Sequence, residues 1–245
     1  MIRVLPACLW IILAGCTTGV ETVQMFGTVH DAPATAGGPV EGAELQVEDL
    51  NDLTTIGTAT TDGDGAFSVA TPAGLGFYLA VRREGYAPTH YSGVAGLADF
   101  DAGEGYPWIA PTAWVDALRE EFANCPTVNE PGAIVTGEAH LWITDVDPTY
   151  TPRIDTVEVH GLSSADEVTR AACYLDDEGV SLADGTQTGA TGRFAMFGVP
   201  EGLLAVEVMY HDPGGDDVSS HPEYNVDADG VVPLYPAWVY TTNDG

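Results

Sequence analysis

Along this chain the dominant hydrophobic period is two. Ala43, Leu45 and Val47 alternate with Glu44, Gln46 and Glu48, and Phe77, Leu79 and Val81 alternate with Tyr78, Ala80 and Arg82. Phe67 and Val69 carry the pattern between them; Val135, Ala139, Leu141 and Ile143, then Phe194 and Met196, then Val206 and Val208, take it up again. Successive side chains on a strand point to opposite faces, so such alternation predicts strands with one buried and one wet face. Asp-Gly and other glycine steps punctuate the runs at short intervals, which makes hairpins the economical link. The predicted architecture is an antiparallel sandwich. One segment departs from the period. Trp114, Leu118 and Phe122 recur at i, i+4 and i+8, which predicts a short helix over Pro111–Phe122 with Thr112 as its cap. Tyr106-Pro107-Trp108 before it and Cys125-Pro126 after it point to an ordered connection, so the flanking domains are expected to pack together.

The pattern also repeats. Thr61-Asp62-Gly63-Asp64-Gly65-Ala66-Phe67 matches Thr188-Gly189-Ala190-Thr191-Gly192-Arg193-Phe194 at an offset of 127, and Pro72-Ala73-Gly74 matches Pro200-Glu201-Gly202 at 128. Upstream, Phe26-Gly27-Thr28-Val29-His30 parallels Thr136-Gly137-Glu138-Ala139-His140 at an offset of 110. The change of 17 in offset implies an insertion early in the second copy, expected at residues 144–161. A repeat unit this long means tandem domains and not a solenoid. The predicted division is a domain at 22–100, an ordered interdomain segment at 101–131 and a second domain at 132–245.

The start of the chain reads differently. Arg3 precedes an apolar run from Val4 to Leu13 that falls short of the roughly 20 residues a spanning helix needs, as in an export signal. The run ends in Leu13-Ala14-Gly15-Cys16, which resembles the lipobox of bacterial lipoproteins. The resemblance implies removal of residues 1–15, acylation of Cys16, a tether at 16–21 and a lipid bilayer as partner. Thr17 and Thr18 follow, with no aspartate, which by the same resemblance favours an outer-membrane address in the cell envelope. An ordinary cleaved signal with a chance Gly-Cys is the alternative. So short a tether places the folded part close to the bilayer.

A second resemblance rests on Pro39-Val40-Glu41-Gly42-Ala43, Thr61-Asp62 with Gly65-Ala66-Phe67, Pro72-Ala73-Gly74 and Glu84-Gly85-Tyr86. This arrangement is similar to the carboxypeptidase regulatory-like domain and covers the first copy. The second copy keeps Gly192-Arg193-Phe194 and Val199-Pro200-Glu201-Gly202 but lacks the closing Gly-Tyr. The resemblance implies an all-β chain of two tandem prealbumin-like antiparallel Greek-key β-sandwiches with a short connecting helix. Its motif residues are turns and core anchors, so it speaks for fold and not for activity.

Composition narrows the chemistry. The 245 residues carry 37 acidic against 7 basic side chains, a formal charge of −30, with every basic residue an arginine. Nucleic acid is excluded as a partner, because such binding needs a cationic face. With Cys8 removed and Cys16 acylated, Cys125 and Cys173 remain, and an exported location predicts that they pair. Two buried free thiols are the alternative. Asp62 and Asp64, and Asp227 and Asp229, are weak candidates for calcium. Neither loop completes an EF-hand, since Ala66 and Val231 stand where the third ligand belongs, so Asp-Gly turns explain them with less. None of the six histidines forms a close metal-binding pair, although His211 and Asp212 could meet His221 in space. There is no Gly-x-Ser-x-Gly elbow, and no cofactor is indicated. Two aromatic groups, Tyr106, Trp108 and Trp114, and Tyr235, Trp238 and Tyr240, are candidates for stacking on a sugar ring or for core packing.

These readings predict a non-catalytic, acyl-anchored envelope lipoprotein that acts as an adhesive, scaffolding or accessory binding module. A carbohydrate-binding protein serving an enzyme partner is the alternative and a small hydrolase the third. A glycan or an envelope protein are the partners beyond the bilayer. The charge makes a prediction by itself. Once Arg3 is removed, most carboxylates have no cation to pair with, and repulsion weighs on the compact state more than on the expanded chain. The melting temperature is expected to rise as monovalent salt goes from about 0.01 M to 0.15 M, where the Debye length contracts from about 30 Å to about 8 Å. A flat or falling series overturns this.

Overall fold

The computed structural model describes residues 21–31, 37–103, 106–143, 157–162, 168–211, 217–220 and 222–241, with backbone only at 141–143, 168–169, 211, 217–218 and 235–241. Cys16 and the leader lie outside the described residues. Among those described, the first part of the chain forms β1 (Thr22–Thr28), β2 (His30–Asp31), β3 (Glu44–Asp49), β4 (Thr55–Thr60) and β5 (Ala66–Pro72). It continues through β6 (Gly76–Arg82), β7 (Tyr86–Ala87), β8 (Thr89–Val94), β9 (Phe100–Asp101) and β10 (Trp108–Pro111). The single helix α1 (Thr112–Glu121) follows. The second part forms β11 (Ala133–Ile143), β12 (Val157–Leu162), β13 (Val168–Ala171), β14 (Cys173–Tyr174) and β15 (Arg193–Val199). Last come β16 (Gly202–His211), β17 (Asp217–Ser220), β18 (Glu223–Val226) and β19 (Val231–Thr241).

The alternating apolar residues are buried as their period predicts, but β6 lacks the expected wet face, because Tyr78 and Ala80 are buried too. Leu45, Val47, Val69, Leu79 and Val81 are buried with Met25 and Tyr91 in one core, between β1–β5 and β3–β6–β8. Val135, Ala139, Phe194, Met196, Val206 and Val208 are buried in a second core, between β11–β15 and β12–β16. The chain is all-β, built from two layered units.

The sequence repeat is a repeat of register. Gly27 on β1 faces Phe67 on β5, and Gly137 on β11 faces Phe194 on β15, so the motifs at offsets 110 and 127 meet as a cross-strand pair in each unit. In the first unit Thr61 N–H donates to the Ala43 carbonyl while its hydroxyl accepts from Ala43 N–H. Thr188 brackets Val157 in the same way. A late strand of each unit also returns parallel to its first, β9 beside β1 and β19 beside β11. Most other pairs are antiparallel.

The extra length of the second copy is not concentrated at 144–161. Val157 stands where Ala43 stands, an offset of 114, so only four extra residues precede it and the other thirteen fall between β12 and Thr188. That stretch includes β14, which pairs with β15 and carries Cys173. The disulfide to Cys125, with a Cα–Cα distance of 5.7 Å, ties it to the segment after α1. Closing a 48-residue separation restricts the unfolded chain by roughly 4 kcal/mol in the chain-entropy picture.

Helix α1 buries Leu118 fully, and Phe122 just beyond it, against Phe197, Leu175 and the two cysteines, with Trp114 packed alongside. Thr112 does not cap it. The cap position is Pro111 and makes no side-chain bond, while the Thr112 hydroxyl donates to the Gly85 carbonyl. The segment before the helix is sheet: β10 runs parallel to β2 and antiparallel to β7, which extends the first unit through Pro111.

The two units do not merely touch. Val231 at the start of β19 pairs with Thr89 on β8, so one eight-stranded sheet runs β14-β15-β11-β19-β8-β6-β3-β4 through both. The two equivalent glycines separate core packing from backbone crowding. A Cβ at Gly137 would lie 2.2 Å from the Leu234 carbonyl oxygen, whereas at Gly27 it would lie 3.2 Å from the Phe67 ring. Gly137→Ala is expected to lose about 2–4 kcal/mol in urea unfolding because backbone must move, and Gly27→Ala under about 1 kcal/mol. Equal losses would show that the β11–β19 pairing yields easily.

Candidate functional site

The densest polar group among the described residues lies at the seam. Arg82, at the end of β6, grips Asp227, just after β18, through two parallel bonds: Nε to Oδ2 at 2.8 Å and Nη2 to Oδ1 at 3.1 Å. Its Nη1 donates to Gln46 Oε1 on β3 at 3.2 Å. Beside it His90 on β8 is 2% exposed, with Nε2 accepting from Asp227 N–H at 3.3 Å. Asn225 on β18 donates to Glu48 Oε2 on β3 at 2.9 Å. Every bond here but the one to Gln46 joins one unit to the other. Charge-assisted, two-pronged pairs are the stronger kind, but with both partners more than a third exposed, this one contributes only about 1 kcal/mol.

The electrostatics follow from burial. Desolvation pushes the His90 imidazole down to about 4; Asp227 works against this and Arg82 adds to it. For Asp227, burial pushes upward, but the Arg82 bond and the His90 and Arg82 charges outweigh it and hold the carboxyl below the usual range. A buried histidine beside a carboxylate is also the beginning of a catalytic pair. Here the ring is sealed: a Cβ on Gly230 would lie 2.7 Å from its Nε2 and Cδ2. Nε2 accepts a backbone hydrogen bond and has no hydroxyl or thiol to activate. The arrangement clamps the two units together.

The sequence candidates resolve in different ways. Trp108 is 4% exposed and packs edge-to-face on Trp114 at 5.3 Å, with Ala110 and Val231 completing a small cluster at the seam. Tyr106 packs on Tyr91 at 4.5 Å. The residue as a whole is 36% exposed, yet desolvation raises its hydroxyl strongly, with Tyr224 adding to the shift. These three rings form packing and not a flat exposed row. The side chains of Tyr235, Trp238 and Tyr240 lie outside the described residues, as do those of His211, Asp212 and His221.

The acidic turns hold themselves. Asp62 Oδ1 accepts from Asp64 N–H at 3.0 Å and Ala66 N–H at 2.9 Å, which spends it on turn geometry. Asp227 is bonded to Arg82 and so belongs to the clamp between the units. Among the described residues no group of three or more His, Cys, Asp or Glu is arranged to hold a metal. A groove of about 660 Å³ beside Arg82 is open and shallow, lined by Glu44, Gln46, Thr58 and Thr60.

No protein-family model matches the sequence, and no curated protein matches it. Solved structures overlap it only loosely. The shaft pilin SpaA from Lactobacillus rhamnosus GG is 11% identical at a TM-score of 0.28, covering 91% of this chain and 99% of its own. The minor pilin GBS52 of Streptococcus agalactiae is 12% identical at 0.31, covering 91% and 98%. BcpA, the major pilin subunit of Bacillus cereus, is 7% identical at 0.24, covering 88% and 99%. Overlaps this loose carry no function across.

The seam predicts a pH dependence. An unfolded chain protonates His90 below about pH 6.5, while the folded protein resists until about pH 4. The stability tied to the neutral ring is therefore whole above pH 6.5 and lost as pH falls toward 4, by up to about 3 kcal/mol. Asp227, depressed by its partners, adds a loss in the same direction at still lower pH. Urea unfolding from pH 7 to pH 4 should show a smaller stability loss in His90→Gln than in the parent. Parallel profiles would show that His90 does not couple the seam to pH.

Proposed function

We propose that this chain is a non-catalytic, acyl-anchored protein of the cell envelope, in which two fused sandwiches form a stiff structural or accessory binding unit. The observation that carries the reading is Leu13-Ala14-Gly15-Cys16, which ends five residues before the described fold begins at Glu21. Acylation there supplies the anchor, since each buried methylene of an acyl chain contributes about 0.8 kcal/mol. No helix among the described residues is long and apolar enough to cross a membrane.

The fold supports a mechanical role over a chemical one. A shared sheet, a two-pronged ion pair and a disulfide fix the angle between the units, which is what a spacer or a presenting scaffold requires. The polar groups at the seam are bonded to one another, and the groove that Arg82 and Gln46 line is open. The acidic surface keeps such a protein dispersed and steers it from anionic partners.

The test is the intact mass of the protein purified from its native membrane. It should exceed that of residues 16–245 by an acylglyceryl group plus further acyl chains. Cys16→Ser should move the protein from the membrane to the soluble fraction. A mature protein that begins at another residue, or a Cys16→Ser variant that still sediments with membrane, overturns the proposal.

A further inference from the structure

We infer that the end of the first sandwich from which the N-terminal segment departs is a lipid-contacting tip that seats in the surface of a zwitterionic bilayer. This rests on acylation at Cys16 and adds to it a direct contact between folded domain and membrane.

Strand directions define the tip. β1 starts there, while β3, β5 and β8 finish there, so residues 50–54, 73–75 and 95–99 converge on one end. Main-chain bonds join them: Ala73 N–H to the Glu21 carbonyl at 2.8 Å, Gly74 N–H to Gly96 at 3.0 Å and Ala95 N–H to Leu75 at 3.0 Å. Glu21, the last residue of the tether, is thus part of the tip itself. From Cys16 to Glu21 is five residue steps, a span of at most about 18 Å when fully extended. An acylated Cys16 holds Glu21, and with it this end of the first unit, within that distance of the lipid.

The side chains displayed there are the wrong ones for water. Leu53 is 37% exposed, Leu75 45%, Val94 77% and Leu97 86%. They make up half of the eight large apolar side chains exposed by more than a third among the described residues, gathered on one end. Concentration of that sort marks a contact surface, whereas single exposed leucines scattered over a protein do not. Leu53 sits at a φ of 58°, a conformation that costs a leucine energy, and the turn nevertheless places it outward.

Charge selects the lipid. Residues 49–54, 72–76 and 94–99 contain no arginine or lysine, but do contain Asp49, Asp52 and Asp99. The Asp52 carboxylate is held below its usual range by bonds from the Thr54 hydroxyl and N–H, so it remains charged beside Leu53. An anionic surface would repel this ring; a zwitterionic one accepts apolar side chains to a depth of about 5–10 Å. The acyl chains supply affinity, and the tip supplies orientation.

The experiment uses the mature acylated protein in phosphatidylcholine vesicles, carrying an environment-sensitive fluorophore on Leu97→Cys or on Leu203→Cys. Leu203 is 61% exposed and begins β16. It follows β15, which runs antiparallel to β11 and away from the tip, so it is the control site. The Cys125–Cys173 disulfide takes no label. Emission at position 97 should shift to the blue and be quenched several-fold more by a lipid-borne quencher than emission at 203. Adding Leu53→Ser and Leu75→Ser should reduce that quenching, and replacing part of the lipid with phosphatidylserine should reduce it too. Solvent-like emission at both sites in protein whose acyl mass is confirmed overturns the tip and leaves the anchor standing. A blue shift at 97 without lipid quenching indicates that another protein or copy covers the tip, and overturns the inference. Absence of the acyl mass overturns the anchor and the tip together.

Discussion

The Val231 N–H donates to the Pro88 carbonyl at 2.7 Å, and with it β19 aligns along β8. The contact is short, yet it converts two sandwiches into neighbours within one sheet. Val231 is fully buried, and Trp108 and Ala110 pack onto it. Because β19 is also the long parallel partner of β11, any tilt of one unit against the other must break main-chain bonds in a dry place. Those bonds cost more to leave unmade than to keep, which is why the seam acts as a fixed angle. The Arg82–Asp227 pair and the sealed His90 then complete a geometry that the backbone has already imposed.

Cations are scarce in this chain, and their placement is telling. Among the described arginines, Arg82 joins the two units. Arg170 pairs with Glu130 at 2.7 Å, Arg193 pairs with Glu121, and Arg119 bonds the Val128 carbonyl. The last three all pin the stretch containing α1 to itself or to the second sandwich, next to the disulfide. Positive charge that could relieve surface repulsion is instead concentrated where helix meets sheet. The remaining surface is left to be screened by solvent ions.

Much of this fold was legible because its period and its turns are written in short, local patterns. Leu45, Val47, Leu79 and Val81 announced one core, and the Trp114, Leu118 and Phe122 spacing announced the helix. The repeat was legible because Thr61 and Thr188 each fasten a strand, and Gly27 and Gly137 stand opposite Phe67 and Phe194 in the ladder. What escaped was long-range. Arg82 and Asp227 stand 145 positions apart, and no local signal ties them; the spacing of Asp227 and Asp229 reads as a turn, with a cation only as the weaker alternative. The position of the inserted residues escaped because offsets between motifs say how many residues are added and not where. The apolar tip was present in the sequence as leucines at turn positions and a valine at the end of β8, where period-two reasoning has little to say.

With the anchor proposed at Cys16 and a load applied elsewhere, the chain is a mechanical element. Tension from a membrane anchor would enter the fold along β1, whose seven residues are paired antiparallel with β5 and whose middle lies parallel to β9. A pull along that strand loads the whole ladder sideways at once, so its bonds share the force and fail together. A pull across the ladder would open them one at a time. The N-terminal strand is therefore oriented for shear and not for peeling, the geometry that lets a small domain bear traction without unravelling.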